Sequence, residues 1–285
     1  MTYLLSKYNN LTQRLITAIL GSAIVISGVI YSEWTYFAIF LFICVLSLLE
    51  FYKLAGLDGI IPLKTLGTFS GVVVFVLSFF IESNRLPAKY YLIIFPLVSI
   101  IYMIKLYKKT ELKPFTNIAY TFLGICYIAV PFALLNHAVF HESQNLSGYQ
   151  YEIILGSLLI LWASDTGAYI AGTLFGKRKL FERISPKKSW EGFWGGAALA
   201  FAMTYGISLF FQSLTVVDWM IIAFLIIIGG TFGDLIESLL KRSIVIKDSG
   251  KSLPGHGGFL DRFDGLFISA PFIAAYLEVF CNTSP

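Results

Sequence analysis

Charge is what this sequence has least of. Asp, Glu, Lys and Arg make up 13% of it, about half of the roughly 25% usual in soluble domains. With 57% hydrophobic residues and a mean hydropathy of +0.76, that shortage excludes a soluble globular chain and puts most of the 285 residues in lipid. Cysteine is scarce as well. Cys44, Cys126 and Cys281 are scattered, which rules out a disulfide framework or a thiolate metal site, and they are expected to be small buried hydrophobes. Low-complexity tracts and internal repeats are missing, which weighs against inverted-repeat transporter folds. No small-residue cleavage pattern follows a short apolar run, so Met1–Asn10 does not open a signal peptide and the first apolar stretch is expected to be a retained span.

What is present is long apolar runs. A helix needs about 20 apolar residues to cross a hydrocarbon core about 30 Å thick. Hydropathy predicts nine such helices: Leu15–Tyr31, Trp34–Leu54, Thr65–Ile81, Tyr90–Tyr107, Thr116–Phe140, Glu152–Phe175, Phe193–Phe211, Asp218–Leu240 and Leu266–Cys281. Pro96 and Pro131 fall inside spans and are expected to kink them. With the N-terminus in the cytoplasm, 19 of the 21 Lys and Arg residues fall on the cytoplasmic side, all but Arg85 and Lys89. The positive-inside rule then sets that orientation, and an odd number of spans keeps the partition clean. The expected fold class is all-α and polytopic. Residues 1–150 would form an N-terminal scaffold of spans with dimer contacts, and residues 151–285 a catalytic membrane domain with cytoplasmic loops 176–190 and 241–263.

The first half carries few ionisable groups within its spans. Glu50 is expected at the interface, facing water or Lys53, and His137 and His141 in solvent-facing or capping roles. The second half differs. Asp165 stands in the middle of a span, and Asp234 and Glu237 stand near the end of another, three apart and so on one helix face, with Ser238 beside them. Acids inside membrane helices are costly and usually face a polar cavity. Pairing of Asp234 with Lys241 or Arg242 is the plainer reading. The following segment goes further. Gly255, Gly257 and Gly258 let backbone N–H groups approach an anion. Lys241, Arg242, Lys247, Lys251 and Arg262 supply donors for phosphate oxygens. Asp261 and Asp264 could join Asp234 in holding a hard cation such as Mg²⁺. Together these read as a metal–polyphosphate site. A second basic segment, Lys177-Arg178-Lys179 followed by Ser185-Pro186-Lys187-Lys188-Ser189-Trp190-Glu191-Gly192, joins a general lipid-surface signal to a short turn bracketed by Pro and Gly, with Trp190 at headgroup level.

The run Ser238-Leu-Leu-Lys241-Arg242, four residues, then Lys247-Asp248-Ser-Gly250-Lys-Ser-Leu-Pro254-Gly-His256-Gly257-Gly258-Phe-Leu-Asp261-Arg262-Phe-Asp264 resembles the signature of the phosphatidate cytidylyltransferase (CDP-diglyceride synthase) family, without a gap over 27 residues. Blocks around Asp165, Phe175-Gly176-Lys177, Ser185 to Gly192 and Gly233 to Ser238 resemble the family too. Over the first 150 residues the likeness is one of hydropathy alone. The chain departs in having Gly265 where members commonly carry serine.

The resemblance implies a divalent-cation-dependent nucleotidyltransferase of phospholipid biosynthesis, with CTP, phosphatidic acid and the bilayer as partners, a homodimeric state and no nucleic acid. It assigns the metal, Mg²⁺ with K⁺ as a candidate second cation, to Asp234 and Asp261 with Asp264 close by. Lys241, Arg242, Lys247 and Arg262 would neutralise phosphates, with Asp248 and Ser238 inside the same motif. Gly257 and Gly258 would cradle phosphate, and His256 would donate a proton or simply shape the turn. Lys187 and Lys188, beside Ser185, would clamp the lipid phosphate, and Asp165 would orient a lysine or bind the second cation. Chain length and the lack of a soluble extension suggest a bacterial inner membrane, with the site facing the cytoplasm. The rival readings are a phosphotransferase acting on a polyprenyl phosphate and a cation transporter, neither of which accounts as well for the Gly-His-Gly-Gly loop. Lys105, outside these motifs, is expected to tolerate Gln with little change in turnover.

Overall fold

The computed structural model describes residues 10–109, 111–141, 148–246, 249–250 and 257–281, with side chains from Ile16 onward. With each 3₁₀ or π turn counted in the helix it continues, the helices are α1 Asn10–Tyr31, α2 Glu33–Leu57, α3 Lys64–Glu82, α4 Ala88–Leu106, α5 Pro114–Val139, α6 Tyr151–Phe175, α7 Trp190–Phe210, α8 Val216–Ser243 and α9 Leu260–Cys281. An antiparallel hairpin of β1 Lys179–Phe181 and β2 Ser185–Ser189 separates α6 from α7. The architecture is the all-helical membrane fold that the hydropathy implies, plus this hairpin. Among the described residues, α2 to α9 are long and apolar enough to cross a membrane, and the apolar part of α1, Ile16–Tyr31, is shorter.

Local chemistry sets the helix ends. Ser32 separates α1 from α2 through a capping box: its hydroxyl accepts from the Trp34 and Thr35 amides, and the Thr35 hydroxyl accepts from the Ser32 amide at 3.1 Å. One residue is therefore enough to restart the helix. Pro96 does not break the middle of its span. The chain runs as a 3₁₀ helix over Ala88–Ile93 and turns α-helical at Ile94, so Pro96 lies in the first α-turn, where an N–H is not needed. In α5 a π turn over Ile125–Ala129 opens the ladder just before Pro131, whose ring would otherwise meet the carbonyl of Tyr127.

The chain forms two compact units, residues 1–136 with 244–262, and residues 137–243 with 263–285. In the first, Tyr36, Phe40, Phe51, Phe75, Phe79 and Phe132 fill the core. The ring of Tyr52 lies against Gly67 of α3 and Gly124 of α5, where a Cβ on either would strike it, and its hydroxyl donates to the Thr121 carbonyl at 2.8 Å. Asn136 donates to the Phe75 carbonyl at 3.1 Å and accepts from the Tyr36 hydroxyl at 3.0 Å. Polar staples of this kind matter because lipid-facing helices gain little from apolar burial against one another. Of the cysteines, Cys44 is buried as expected, whereas Cys126 is exposed and Cys281 half-buried.

The second unit holds α6, the hairpin, α7, α8 and most of α9. Helices α6 and α7 meet backbone to backbone: a Cβ on Gly167 would lie 2.6 Å from the Gly195 carbonyl oxygen, and one on Gly196 2.7 Å from that of Ser164. Helices α8 and α9 run antiparallel. The Tyr276 hydroxyl donates to Asp218 at 2.8 Å at one end, and Gly229 packs on the backbone of Ser269 nearer the other.

Lys105, counted above with the loop lysines, is buried. Its ammonium donates to the Ile61 carbonyl at 2.8 Å and to Glu111 at 2.5 Å, and Glu111 also accepts from Asn117 at 2.7 Å. Both partners of the pair are at least nineteen-twentieths buried. Burial pushes the Glu111 carboxyl up. The hydrogen bonds from Lys105 and Asn117, with the charges of Lys105 and Lys108, outweigh it and hold the group below its ordinary value of 4.5. A carboxyl whose folded value is depressed stabilises the fold above its unfolded value and loses that contribution as pH falls through the folded one. Melting of the detergent-solubilised protein should therefore drop below pH 4.5 more steeply in wild type than in Glu111→Gln. Lys105→Gln strands a buried carboxylate and should cost about 3 kcal/mol at neutral pH, while turnover per folded molecule stays near wild type. An unchanged melting temperature would show the pair to be idle.

Candidate active site

The end of α8 presents Asp234, Glu237, Ser238 and Lys241 along one face. The first turns of α9 bring Asp264 to them, because Gly233 lets α9 approach so closely that a Cβ there would strike the Asp264 carbonyl. One carboxylate oxygen from each of Asp234, Glu237 and Asp264 lies within 4.8 Å of the other two. Glu237 is 1% exposed, while Asp234 and Asp264 are half-buried. Asp264 takes the Gly265 amide at 2.7 Å, and it feels the charges of Asp234 and Asp165 and of Lys188. Asp165 is exposed on α6.

Two lysines offset the acids. Lys241 bridges to Glu237 at 2.8 Å, one turn back on α8. Asp234 is paired with neither Lys241 nor Arg242 in these contacts. Its Oδ2 lies 2.6 Å from the Lys188 ammonium, which also reaches the Thr231 carbonyl at 3.5 Å, and its Oδ1 accepts from the Ser238 hydroxyl at 3.2 Å. Among the described residues, two lysines are ion-paired to this cluster of three acids. An all-oxygen donor set of this kind suits a hard cation such as Mg²⁺ better than a softer one.

Lys188 reaches Asp234 because Ser185-Pro186-Lys187-Lys188-Ser189 is a strand rather than the short turn expected. Lys179 pairs with Ser189 and Phe181 with Ser185. Burial along β2 does not follow a strict two-residue period, and the pairing shifts register between Lys179 and Phe181; Lys188 is half-buried and Lys187 exposed. The hairpin is braced at its base. Trp190 donates its amide to the Arg178 carbonyl at 2.9 Å. Glu191 accepts the Lys177 amide at 3.0 Å and the Arg178 amide at 3.2 Å. Ser189 caps α7 through the Gly192 amide at 3.1 Å.

The first unit holds the glycine-rich segment. Asp261 accepts from the Ser249 amide at 3.1 Å and the Gly258 amide at 2.9 Å, and Gly257 takes a positive φ of 84°. Glu50, expected to face water or Lys53, is buried and accepts the Leu260 amide at 3.0 Å, which satisfies an orphan donor at the start of α9. Gly250 and Gly258 lie against its carboxylate, where a Cβ on Gly258 would collide with both Glu50 and Ser249. Sequence reasoning placed Glu50 at the interface, and left Glu237 without a ligand role although its spacing from Asp234 was noted. Arg242 and Arg262 are exposed, and Lys247, Asp248 and His256 lie outside the described residues.

Comparison with known proteins supplies the context. The chain matches the Cytidylyltransferase family over residues 12–280. It is 32% identical over 280 residues to the phosphatidate cytidylyltransferase of Bacillus subtilis (strain 168), covering 95% of this chain and 99% of that protein. It is 38% identical over 161 residues to the protein of the same name from Staphylococcus saprophyticus, and 37% over 161 residues to that of Staphylococcus aureus (strain COL), each match covering 56% of this chain and 58% of the relative.

The Glu50 contact generates a test. Glu50→Ala removes the acceptor for a buried helix-start amide and should cost about 1–3 kcal/mol. It should also speed amide exchange at residues 249–250 and 257–262 well before exchange in α6 and α7 changes. Exchange in that segment equal to wild type would show that Glu50 does not hold it.

Proposed function

The chain belongs to the cytidylyltransferase family, and from that premise we infer that it joins CTP to phosphatidic acid, releasing pyrophosphate and forming CDP-diacylglycerol, as an integral membrane enzyme of phospholipid biosynthesis. The observation that carries the site assignment is the convergence of Asp234, Glu237 and Asp264, with Lys188 on Asp234, at the basic end of α8.

Chemically, a phosphate oxygen of phosphatidic acid attacks the α-phosphorus of CTP, a new P–O bond forms, and the bond to the β-phosphate bridging oxygen breaks. The lipid phosphomonoester has a second pKa of about 6, so it is already a dianionic nucleophile near neutrality and needs no strong base. The obstacle is to bring two polyanions together and to stabilise charge on the departing pyrophosphate. Asp234, Glu237 and Asp264 would hold Mg²⁺, with Asp261 assigned to the same chemistry by the family resemblance. Bound there, the ion supplies charge stabilisation on the triphosphate. Lys241, Arg242, Lys247 and Arg262 neutralise phosphate oxygens. Gly257 would present its amide to them, whereas the Gly258 amide is taken by Asp261, and Asp261 and Glu50 hold that segment in shape. Lys188, in hydrogen-bond reach of Asp234, orients the lipid phosphate next to the metal carboxylates, with Lys187 beside it. Asp165 serves a second, monovalent cation or orients Lys188. Asp248 and His256 complete the motif, His256 toward the leaving group. The lysine and arginine distribution supports a site open to the cytoplasm, the bacterial relatives support an inner-membrane location, and a homodimer is the proposed assembly.

The test uses purified protein in detergent with radiolabelled CTP and phosphatidic acid. Mg²⁺-dependent label in lipid with stoichiometric pyrophosphate is the expected result. No lipid label from folded protein under any divalent cation overturns the function. Asp234→Asn and Asp261→Asn should each lower turnover by about 100-fold or more; near-wild-type turnover at ordinary Mg²⁺ removes that residue from the metal set. Lys188→Gln should raise the KM for phosphatidic acid more than that for CTP, and the opposite split would move Lys188 to the nucleotide.

A further inference from the structure

A second cluster of metal-ligating groups stands in the second unit, away from the acids just described. His137, in the last turn of α5, and His141, two residues beyond its end, have the i, i+4 spacing of a two-histidine metal site. Glu278 reaches them from the π turn that ends α9. The His137 Nε2 lies 3.2 Å from Glu278 Oε2, and the two imidazole centroids are 6.1 Å apart with the planes at 65°. One ligand atom from each of the three lies within 4.8 Å of the others. His141 is 3% exposed and so does not have the solvent-facing place that the sequence suggested.

The backbone under the cluster is held in place. Gln150, itself buried, donates its amide N–H to the Val139 carbonyl at 2.7 Å and its side-chain Nε2 to the His141 carbonyl at 2.6 Å. A tetrahedral zinc ion bound at about 2.05 Å sets its ligand atoms about 3.3 Å apart. The His137–Glu278 pair already has that separation, and a ligand atom of His141 lies within 4.8 Å of one from each of the other two. An ion pair between His137 and Glu278 accounts for two of the three groups.

We propose that His137, His141 and Glu278 form a binding site for Zn²⁺ that ties the end of α5 to the end of α9. Two imidazoles and a carboxylate suit a borderline first-row dication, whereas the all-carboxylate cluster suits a hard one, so the two sites select different metals. They are also well separated: Asp264 and Glu278 lie fourteen residues apart on α9, about 21 Å along its axis. The site is independent of the enzymatic reading, and its ion restrains helix ends without entering the reaction.

The experiment uses the full chain, purified in detergent, stripped with chelator and then equilibrated with Zn²⁺ in excess Mg²⁺, which keeps the acidic cluster from scavenging zinc. One Zn²⁺ retained per chain is expected, with a rise in melting temperature of several degrees. Co²⁺ in its place should give the intense visible absorption of a four- or five-coordinate ion. His137→Ala and His141→Ala should each weaken Zn²⁺ binding at least tenfold and abolish the rise in melting temperature, with turnover unchanged. Should buried His141 not tolerate alanine, Glu278→Gln, at a half-exposed carboxylate, carries the test with a weakening of at least fivefold. No zinc retained in excess Mg²⁺, or affinity unchanged in His137→Ala and Glu278→Gln, overturns the proposal.

Discussion

Mutual repulsion among Asp234, Glu237 and Asp264 is the constraint on which the second unit depends. Three carboxylates with oxygens inside 4.8 Å, in surroundings less polarisable than water, cannot all keep their charge without cations near them. The fold supplies part of the answer from its own residues. Lys241 sits on Glu237, and Lys188 on Asp234. The last turn of α8 is basic, which also suits the negative end of its dipole, while Asp264 lies in the opening turns of α9, near the positive end of that helix. Among the described residues the two lysines leave one of the three carboxylates without an ion-pair partner of its own, and it is on this surplus of oxygen donors that the proposed divalent-ion site rests.

Delivery of Lys188 explains the hairpin. A lysine on a loose loop would lose much side-chain and backbone freedom on pairing with Asp234. Here most of that ordering is already done by contacts that have nothing to do with the acid: the Glu191 bonds to two amides, the Ser189 cap, and the tight glycine packing of α6 on α7. The motif residues around Lys188 therefore divide the labour. Ser189, Glu191 and Gly192 hold the hairpin in place, and Lys188 pairs with Asp234.

How much of this could be read in the sequence follows from the distance along the chain between interacting groups. The spans were legible because hydropathy is a local property. The Asp234–Glu237 face was legible because helix spacing is fixed, and the glycine-rich segment because its acids, bases and glycines are contiguous. Glu50 was not legible. Its partner, the Leu260 amide, is 210 residues away, and a glutamate at the end of an apolar run looks the same whether it meets water or a buried amide. The Lys105–Glu111 pair was not legible for a related reason, since a lysine at a span end gives no sign of a buried carboxylate partner in the next loop. The hairpin was missed because Pro186 and two lysines carry little strand propensity; capping and ladder contacts override it.

The glycine at position 265 shows how packing and chemistry are reconciled at one residue. Members of the family commonly carry serine there, so the chain might seem to have given up a hydroxyl beside its acidic cluster. A Cβ at 265 would stand 3.0 Å from a terminal methyl of Leu161 and 3.1 Å from the Cα of Gly230. The first neighbour can rotate away, but the second is backbone, so a side chain here would press α8 and α9 apart by a few tenths of an ångström. The same interface, one turn further along α8, is where Gly233 admits Asp264. Glycine at 265 favours the close approach that keeps Asp264 within reach of Asp234. What Asp264 takes from residue 265 is its main-chain amide, at 2.7 Å, which any residue but proline supplies. The substitution therefore removes a hydroxyl and leaves both the carboxylate's position and its hydrogen bond in place.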